Sequence, residues 1–410
     1  MDRIVIIGTG QGGFQAAASL RQEGFEGEIT LIGDEPGLPY QRPPLSKAYM
    51  ADGVAERLLL RPASFYERSS LTLRDGARAT VIDRTRRVVT TADGDEYPYD
   101  HLILATGARA FRPPIPGQDA DGVEELRTLD DASRLRARLP GTRQAIVIGG
   151  GFIGLEFAAM ARAAGVAVKV YEATPRLMSR ALSPGMSAWF LEAHRAMGTD
   201  VHLGASARRI ESADGRVTGV DTSDLEVIPG DLVLIATGVR PNVELAEAAG
   251  LAIDNGIVVD GALLTADPAI SALGDCCSFP LPGGERVRLE SVQAAVDHAR
   301  HIARRLVNGT TDAYAAVPWF WSDQGKHKLQ IAGLGTAADE VVRAPGSEEH
   351  PVFLLFREGH LVAVETVNAP AEHMSARRMI GTPKPVLEAA GYVLRKAMSA
   401  GKEAARATEL

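Results

Sequence analysis

The stretch RIVIIGTGQGG, Arg3 to Gly13, has the residue types and the spacing of a phosphate-binding turn. In the pattern Gly8-x-Gly10-x-x-Gly13, the first glycine permits a tight turn and the second lets a pyrophosphate approach the backbone. The third glycine lets the following helix pack closely against the preceding strand. Because the N-terminus of that helix presents unpaired N–H groups, the stretch predicts a dinucleotide site.

The elements on both sides of this turn are those that such a site needs. Ile4 to Ile7 is predicted to be a strand, Phe14 to Leu20 a helix, and Glu28 to Ile32 a second strand. Asp34 and Glu35 follow the second strand, where a carboxylate can accept hydrogen bonds from a ribose hydroxyl. Both come slightly later than the usual spacing, and Asp34 is the preferred candidate.

A second glycine turn of the same kind lies in the middle of the chain. The apolar run Ala145 to Ile148 leads into Gly149-x-Gly151-x-x-Gly154. An alanine-rich helix pattern follows, and Val166 to Tyr171 is predicted to be the next strand. The chain therefore contains two predicted dinucleotide sites.

The residue that closes this last strand is Glu172. A carboxylate at this position can bind the 2′-hydroxyl of an adenosine ribose, and its charge repels a 2′-phosphate. The second site is therefore predicted to favour NADH over NADPH, although Arg176 and Arg180 could weaken this preference.

Composition and charge exclude several classes of partner. The 410 residues suffice for two or three domains, and the formal net charge of -8 argues against nucleic acid as the main partner. The first strand signal begins at Arg3, and no apolar run approaches the ~18 residues of a membrane helix. We therefore expect a cytoplasmic protein without a membrane anchor.

The two cysteines of the chain, Cys276 and Cys277, are adjacent in sequence. Neighbouring cysteines rarely form a disulfide, and the pair lacks the spacing of a C-x-x-C motif. Neither a disulfide framework nor a metal site is therefore indicated, and we expect two inert thiols near the end of a strand.

Two short stretches of the chain are nearly the same. HLILATG, His101 to Gly107, and DLVLIATG, Asp231 to Gly238, are each predicted to be a buried strand that leads from one nucleotide-binding half to the other domain. ISALGD, Ile270 to Asp275, is predicted to be a further strand with a carboxylate at its C-terminal end. Ligands of open α/β sheets gather at such ends.

From Trp319 the composition changes. The aromatic stretch PWFWSDQ is followed by predicted strands and then by two predicted helices, Ala371 to Ile380 and Pro385 to Ala400. This pattern indicates a third domain of the α+β class.

The two glycine turns, the stretch RPPLSK at Arg42 to Lys47, the paired ATG strands, the GD strand end and PWFWSDQ together resemble one family. This is the family of FAD-dependent NADH:ferredoxin reductases, which includes putidaredoxin reductase, rubredoxin reductases and the reductase components of aromatic-ring dioxygenases. The resemblance extends over nearly the whole chain, to about residue 380, with the motifs in the expected order.

The resemblance implies an α/β protein on the glutathione-reductase-like plan. Two Rossmann-like nucleotide-binding domains are followed by a C-terminal α+β domain. The FAD domain would comprise residues 1–110 and 236–314, the inserted NADH domain 111–235, and the C-terminal domain 315–410. Disulfide reductases of this plan carry a redox-active cysteine pair where this chain has PYQRPPLSK; no cysteine precedes Cys276, so a dithiol relay is excluded.

The resemblance also implies individual cofactor contacts. FAD would be bound by Gly8, Gly10, Gly12, Gly13, Asp34 (or Glu35), Arg42, Lys47, Ala79, Arg127, Asp275, Val292 and Trp321. NADH would be bound by Gly149, Gly151, Ile153, Gly154, Glu156, Glu172, Arg180 and Gly238. Gly12 departs from the alanine that the family usually has, which should only loosen the start of the helix slightly.

The same resemblance assigns catalytic roles to Lys47, Glu156 and Trp321. Lys47 would lie beside the flavin N5 and stabilise the reduced flavin, and Glu156, on the first turn of its helix, would keep that lysine charged and in place. The alternative for Glu156 is a solvated acid that suits the helix dipole. Trp321 would pack near the isoalloxazine and could lie between flavin and partner; the alternative is an ordinary packed aromatic.

The implied partner is a ferredoxin, expected to be of the [2Fe–2S] type, that feeds a cytochrome P450 or a ring-hydroxylating oxygenase. The residues of this chain that are predicted to form a basic docking face for the ferredoxin are Arg300, Arg304, Arg305, Lys326 and Lys328. The alternative is that these side chains are ordinary solvated surface residues. The expected oligomeric state is a monomer or weak dimer. The alternatives left open are a rubredoxin reductase or NADH oxidase on the same fold, and an NADH-sensing flavoprotein that acts by binding.

Overall fold

The structure is a computed structural model that describes residues 1–223 and 227–399. The chain divides into two compact units. The first unit comprises Met1–Arg42, Val54–Arg109 and Val239–Ala316. The second comprises Pro43–Gly53, Ala110–Gly238 and Val317–Leu410, with the described part ending at residue 399.

The strands, in chain order, have the following bounds. In the first half they are β1 (Arg3–Ile7), β2 (Glu28–Ile32), β3 (Leu71–Arg74), β4 (Ala79–Asp83), β5 (Val88–Thr91), β6 (Glu96–Pro98), β7 (His101–Leu104), β8 (Ala108–Ala110), β9 (Val123–Glu124), β10 (Gln144–Ile148), β11 (Ala167–Glu172) and β12 (Asp200–Leu203). They continue with β13 (Ala207–Ala213), β14 (Arg216–Thr222), β15 (Val227–Pro229), β16 (Leu232–Ile235), β17 (Val239–Pro241), β18 (Ile257–Val258), β19 (Ile270–Ala272), β20 (Cys277–Pro280), β21 (Arg286–Val287), β22 (Trp319–Gln324), β23 (His327–Gly333), β24 (Glu340–Arg343), β25 (Val352–Arg357) and β26 (His360–Val367).

The helices are named in the same way. They are α1 (Gln11–Gln22), α2 (Ala48–Asp52), α3 (Ala63–Arg68), α4 (Leu129–Arg138), α5 (Phe152–Ala163), α6 (Pro184–Ala196), α7 (Glu244–Ala248), α8 (Val292–Asn308), α9 (Pro370–Met379) and α10 (Lys384–Ala389).

The first unit is built on a parallel sheet with the strand order β19-β7-β1-β2-β3. Its central strands are apolar and buried, as expected for a sheet covered on both faces. The carboxyl ends of β1, β2, β7 and β19 meet at one edge, because all these strands run in the same direction. Helices α1 and α8 pack against each other in this unit.

The second unit has its own parallel sheet, in the order β12-β11-β10-β16-β9. As in the first unit, the strand before the glycine turn lies in the interior of the sheet, paired on both sides. The two parallel sheets confirm the α/β class that the glycine turns predicted. The strands predicted from the ATG stretches are also confirmed, but both end before the ATG residues, at Leu104 and Ile235.

A second sheet of this unit is antiparallel, in the order β22-β23-β26-β25-β24, and helix α9 packs on it. The predicted helix Ala371 to Ile380 is confirmed as α9. The single helix predicted from Pro385 to Ala400 is wrong: α10 ends at Ala389, and the chain is helical again only over 394–399. Gly391 and Tyr392 both have positive φ, 64° and 59°, which interrupts a right-handed helix. Ala400 lies outside the described residues.

Within the described part of the chain, none of the helices has the length and apolar character required to cross a membrane.

Candidate active site

The first glycine turn leaves an open space in front of helix α1. A Cβ atom on Gly8, whose φ is +114°, would lie 2.1 Å from the Ala105 carbonyl oxygen, and one on Gly13 would lie 1.8 Å from that of Gly8. A Cβ on Gly10, by contrast, would meet no atom of the described residues within 4 Å. Gly8 and Gly13 are therefore needed for close packing, whereas Gly10 faces open space at a helix N-terminus, where a pyrophosphate is predicted to bind.

Other predicted FAD residues gather at the same edge of the first unit. Asp275 follows β19, and Val292 is the first residue of α8. A Cβ on Gly12 would come within 2.4 Å of the Leu273 side chain, so this glycine lies next to the end of β19. The contact corrects our expectation for Gly12: an alanine here would require Leu273 to move, whatever its effect on the helix start.

The two candidate carboxylates after β2 have different surroundings. Glu35 accepts a hydrogen bond of 2.5 Å from the Tyr40 hydroxyl and forms an ion pair with Arg42. Asp34 is exposed. Glu35 therefore positions Arg42, whereas Asp34 remains the candidate for a ribose. Ala79 is the first residue of β4. It comes two residues after Ala77, whose N–H donates to the Gly33 carbonyl just before Asp34.

The second glycine turn repeats the geometry of the first. A Cβ on Gly149 would lie 2.4 Å from the Ala236 carbonyl oxygen, and one on Gly154 would lie 2.3 Å from that of Gly149. The nearest described atom to a Cβ on Gly151 is 4.0 Å away, so this turn also faces open space. Ile153 is 41% exposed beside it.

Glu172 is fixed by two backbone donors. Its carboxylate accepts hydrogen bonds from Gly150 N–H at 2.7 Å and from Thr174 N–H at 2.8 Å. Gly149 N–H bonds to the carbonyl of Tyr171, as Gly8 N–H bonds to that of Ile32. Glu172 is therefore equivalent to Gly33, which explains why Asp34 comes one residue later than the usual spacing.

The two arginines near Glu172 differ in orientation. Arg176 points inward, where it donates to the Ser179 carbonyl at 2.7 Å and to the Ser187 hydroxyl at 3.1 Å. Arg180 is exposed, and a Cβ on Gly238 would lie 2.7 Å from its guanidinium. The structure thus brings two predicted NADH residues together and removes Arg176 as a group that could meet a 2′-phosphate.

Lys47 and Glu156 form the predicted ion pair. Lys47 Nζ lies 2.7 Å from Glu156 Oε2, and the Glu156 side chain is only 4% exposed. Glu156 is the fifth residue of α5, beyond its first turn, so both its predicted place on the first turn and the alternative of a solvated first-turn acid are wrong.

Two serines complete the surroundings of this carboxylate. Ser46 Oγ donates to Glu156 Oε2 at 2.5 Å, and Ser322 Oγ donates to Oε1 at 2.7 Å. Both residues were missed in the sequence, although both lie inside conspicuous stretches, RPPLSK and PWFWSDQ. A short polar residue beside a predicted catalytic residue was the signal that could have identified them.

Trp321 lies on β22, next to Ser322. Its ring is half-buried and lies 5.6 Å from that of Trp319, measured between centroids. Arg127 N–H donates to Asp131 at 3.1 Å, near the start of α4. Both residues belong to the second unit, as does Lys47, whereas the glycine turn predicted to bind FAD belongs to the first.

Cys276 and Cys277 are both completely buried. Burial raises the pKa of the Cys276 thiol and raises that of Cys277 further. Since the thiolate is the reactive form, the burial and the raised pKa of both thiols support the expectation that they are inert.

A further buried carboxyl, Glu365, lies on β26. Its oxygens accept hydrogen bonds from the N–H and the hydroxyl of Ser183, both at 2.6 Å, and Ser183 caps helix α6. Burial raises the pKa of Glu365 from 4.5 to about 7, against the opposing effect of the Ser183 hydrogen bonds.

This shift predicts a pH-dependent stability. Between about pH 4.5 and 7 the folded protein retains a proton that the unfolded chain has released, so stability falls as the pH rises through this window. Glu365→Gln should match the wild type at pH 5 and be more stable by about 2–3 kcal/mol at pH 8. Urea unfolding at the two pH values measures this, with exposed Glu349→Gln as control. An equal effect of Glu365→Gln at both values would contradict the prediction.

Two glycine turns that each face open space at a helix N-terminus, together with the ion pair of Lys47 and the buried Glu156, are the features of an oxidoreductase that uses two dinucleotides. Comparison with known proteins agrees: residues 2–299 match the family described as Pyridine nucleotide-disulphide oxidoreductase, and residues 319–398 match Reductase C-terminal. The chain belongs to the pyridine nucleotide-disulphide oxidoreductase family. Its cofactors are accordingly FAD and NAD(H).

Individual relatives are similar over most of their length. The chain is 50% identical to rhodocoxin reductase of Rhodococcus erythropolis over 388 residues, 93% of this chain and 90% of the relative. The crystal structure of the ferredoxin reductase for the CYP199A2 system from Rhodopseudomonas palustris matches with a TM-score of 0.93 at 44% identity, covering 97% of this chain and 100% of that one. The covalent putidaredoxin reductase–putidaredoxin complex also gives 0.93, at 37% identity, with 98% and 99% covered.

Proposed function

We propose that this chain is an NADH-dependent reductase that passes electrons through FAD to a ferredoxin of the [2Fe–2S] type, which in turn supplies a cytochrome P450 or a ring-hydroxylating oxygenase. The observation that carries this proposal is the ion pair of the half-buried Lys47 with the buried Glu156. It holds a cation where disulfide reductases of this plan carry cysteines. The relatives named as ferredoxin reductases support the choice of acceptor.

In this proposal each unit has its own task. FAD, when bound, accepts a hydride and gives up electrons singly. The open space before Gly10 in the first unit receives the FAD pyrophosphate, and the corresponding space before Gly151 in the second receives that of NADH. Glu172 orients the adenosine ribose, and Lys47 provides the positive charge that the reduced flavin requires. The domain bounds 1–110, 111–235, 236–314 and 315–410 are part of the proposal.

The cysteines offer no second route for the electrons. Both belong to the first unit and are completely buried, and the second unit, which holds Lys47, contains none in its sequence. The flavin must therefore deliver electrons directly to the acceptor.

An anaerobic titration tests the proposal. NADH should bleach the flavin spectrum rapidly, NADPH should require a concentration about tenfold or more higher because of Glu172, and an oxidised [2Fe–2S] ferredoxin should restore the colour. Recovery of the flavin colour with rubredoxin but not with ferredoxin would favour a rubredoxin reductase. The chain is also similar to a protein of that name. A long-lived reduced protein that passes nothing on would favour the NADH sensor.

The structure reduces the number of candidate residues for the basic docking face. Arg300 and Arg304 are exposed on one side of α8, whereas Arg305 is half-buried and donates to Ser271 Oγ at 2.5 Å. Arg305 is therefore a structural residue of the first unit. Lys326 and Lys328 are exposed around the turn between β22 and β23, and they remain candidates.

Charge reversal on this helix should slow association with an acidic ferredoxin. Arg300→Glu with Arg304→Glu is expected to lower the association rate constant about tenfold at low salt and to flatten its dependence on ionic strength. Stopped-flow oxidation of the reduced enzyme by ferredoxin gives this constant. The exposed Arg143→Glu serves as the control, and an association rate of the wild type that does not change with salt would contradict a basic docking face.

A further inference from the structure

A series of buried polar side chains continues from Glu156 through the second unit. Gln324 Nε2 lies 3.2 Å from Ser322 Oγ, and Gln324 Oε1 lies 2.8 Å from His194 Nε2. Ser322, Gln324 and His194 are all completely buried. With the Ser322–Glu156 bond, these contacts form a continuous path from helix α6 to the ion pair with Lys47.

The chemistry of the groups fixes the direction of every bond in this path. As the partner of an ammonium group, Glu156 is a carboxylate that only accepts, so the single hydroxyl proton of Ser322 points toward it. Ser322 must then accept from the amide of Gln324, which turns the Gln324 oxygen toward His194. The imidazole must therefore donate from Nε2.

The surroundings of His194 agree with this direction. Burial lowers the pKa of His194, although the hydrogen bond with Gln324 opposes this, so the ring is neutral and carries one proton. Among the described residues, His194 Nδ1 has no hydrogen-bond partner. Leaving a bare acceptor unpaired is more common in proteins than leaving a buried N–H unpaired, which favours the proton on Nε2.

Gln324 also contacts the segment that follows Glu172. Its amide approaches Met178 Sδ at 3.5 Å, and Met178 N–H donates to the Gly150 carbonyl at 3.0 Å. Met178 has a φ of 50°, an unusual conformation for a non-glycine residue. One glutamine thus touches both the path to Glu156 and the segment that holds the second glycine turn.

We propose that Gln324 and His194 are positioning residues of the hydride-transfer site, acting through Ser322 to hold Glu156 in place beside Lys47. The inference rests on the proposed function, since it gives Glu156 the task of fixing Lys47. It also explains why the stretch PWFWSDQ, on a different sheet from the glycine turn, carries a serine and a glutamine two positions apart.

The tautomer of His194 gives a test that needs no turnover. Long-range ¹H–¹⁵N spectra of histidine-labelled protein, with and without FAD, should show His194 protonated on Nε2. Assignment uses His194→Gln, which removes the signal but keeps a side-chain donor. A proton on Nδ1 would mean that the amide of Gln324 is reversed and that Ser322 donates to it instead of to Glu156, which would overturn the proposal.

Flavin reduction by NADH tests the role itself. Gln324→Leu should lower the limiting rate about tenfold in the wild type but less than about twofold in the Glu156→Gln background, because coupled residues are not additive. Equal slowing in both backgrounds would show a merely structural role. His194→Gln should stay within about twofold of the wild type, and His194→Leu should not.

Two further variants secure the interpretation. Gln324→Met keeps the length of the side chain but has no N–H donor, so it should slow reduction like Gln324→Leu, and it replaces that variant if the leucine protein does not fold. Gln144→Leu, in the same unit but bonded to the Pro229 carbonyl, is the matched control and should have no effect. If NADH does not reduce the wild-type flavin, the proposed function fails, while the His194 tautomer still decides the direction of the path.

Discussion

Lys47→Ala is expected to lower the limiting rate of flavin reduction by NADH about 100-fold or more, while the protein retains its FAD. The ammonium group lies 2.7 Å from Glu156 and 3.2 Å from the Pro43 carbonyl, so it is held at one place rather than swinging in solvent. Removing a preorganised group that stabilises developing charge typically lowers a rate ~100- to 1000-fold. FAD should be retained, because the glycine turn proposed to bind its pyrophosphate belongs to the first unit and does not include Lys47.

The measurement is anaerobic stopped-flow, with the limiting rate separated from the apparent affinity for NADH. Lys169→Ala is the matched control, because Lys169 forms a 2.6 Å ion pair with Asp200 and its side chain is 27% exposed, close to the 22% of Lys47. The glutamate left behind keeps two serine donors, so the variant should fold. An unchanged limiting rate would refute the role given to Lys47.

Two alanine substitutions in the first glycine turn should have different effects, one on FAD binding and the other on folding. Gly10→Ala should leave stability within about 1 kcal/mol of the wild type but weaken FAD binding about tenfold or more. Its backbone φ of -72° suits alanine, and the added methyl group would enter the open space in front of α1. Gly13→Ala should prevent stable folding of the first unit, since its methyl group would overlap the Gly8 carbonyl at 1.8 Å.

Thermal unfolding and fluorescence titration of the apoprotein with FAD distinguish the two effects. Gly346→Ala is the control for the first variant, because its added methyl group would also meet no described atom within 4 Å. It should change neither stability nor FAD affinity. If Gly10→Ala bound FAD like the wild type, the first turn would not be the pyrophosphate site.

The sequence predicted the glycine turns and their strands well, because each follows from a local pattern. Gly8, Gly13, Gly149 and Gly154 are required by contacts with carbonyl groups of neighbouring backbone, and only glycine has no Cβ to place there. Short apolar runs that end in such a glycine turn are typical of the interior strands of a parallel sheet. Both requirements can be read from the amino-acid sequence alone.

The hydrogen bonds of Glu156 were predictable only in part. The pairing with Lys47 came from the family resemblance, and nothing in the spacing of Ser46 and Ser322 indicates that two hydroxyls, 276 positions apart by the printed numbering, meet at one carboxylate. The inward orientations of Arg176 and Arg305 were equally invisible, since a cation that bonds to buried oxygens looks like a surface residue in a sequence.

The segment Pro43–Gly53, which carries Lys47, belongs to the second unit although the chain on either side of it belongs to the first. During synthesis this segment leaves the ribosome long before residues 110–238, with which it forms the second unit. It therefore has no native contacts with them until those residues have been made. The sheet of the first unit in turn waits for β19. Neither unit can be cut out as one continuous piece, and protein truncated within either nucleotide-binding part should be a substrate for chaperones and proteases rather than a working fragment.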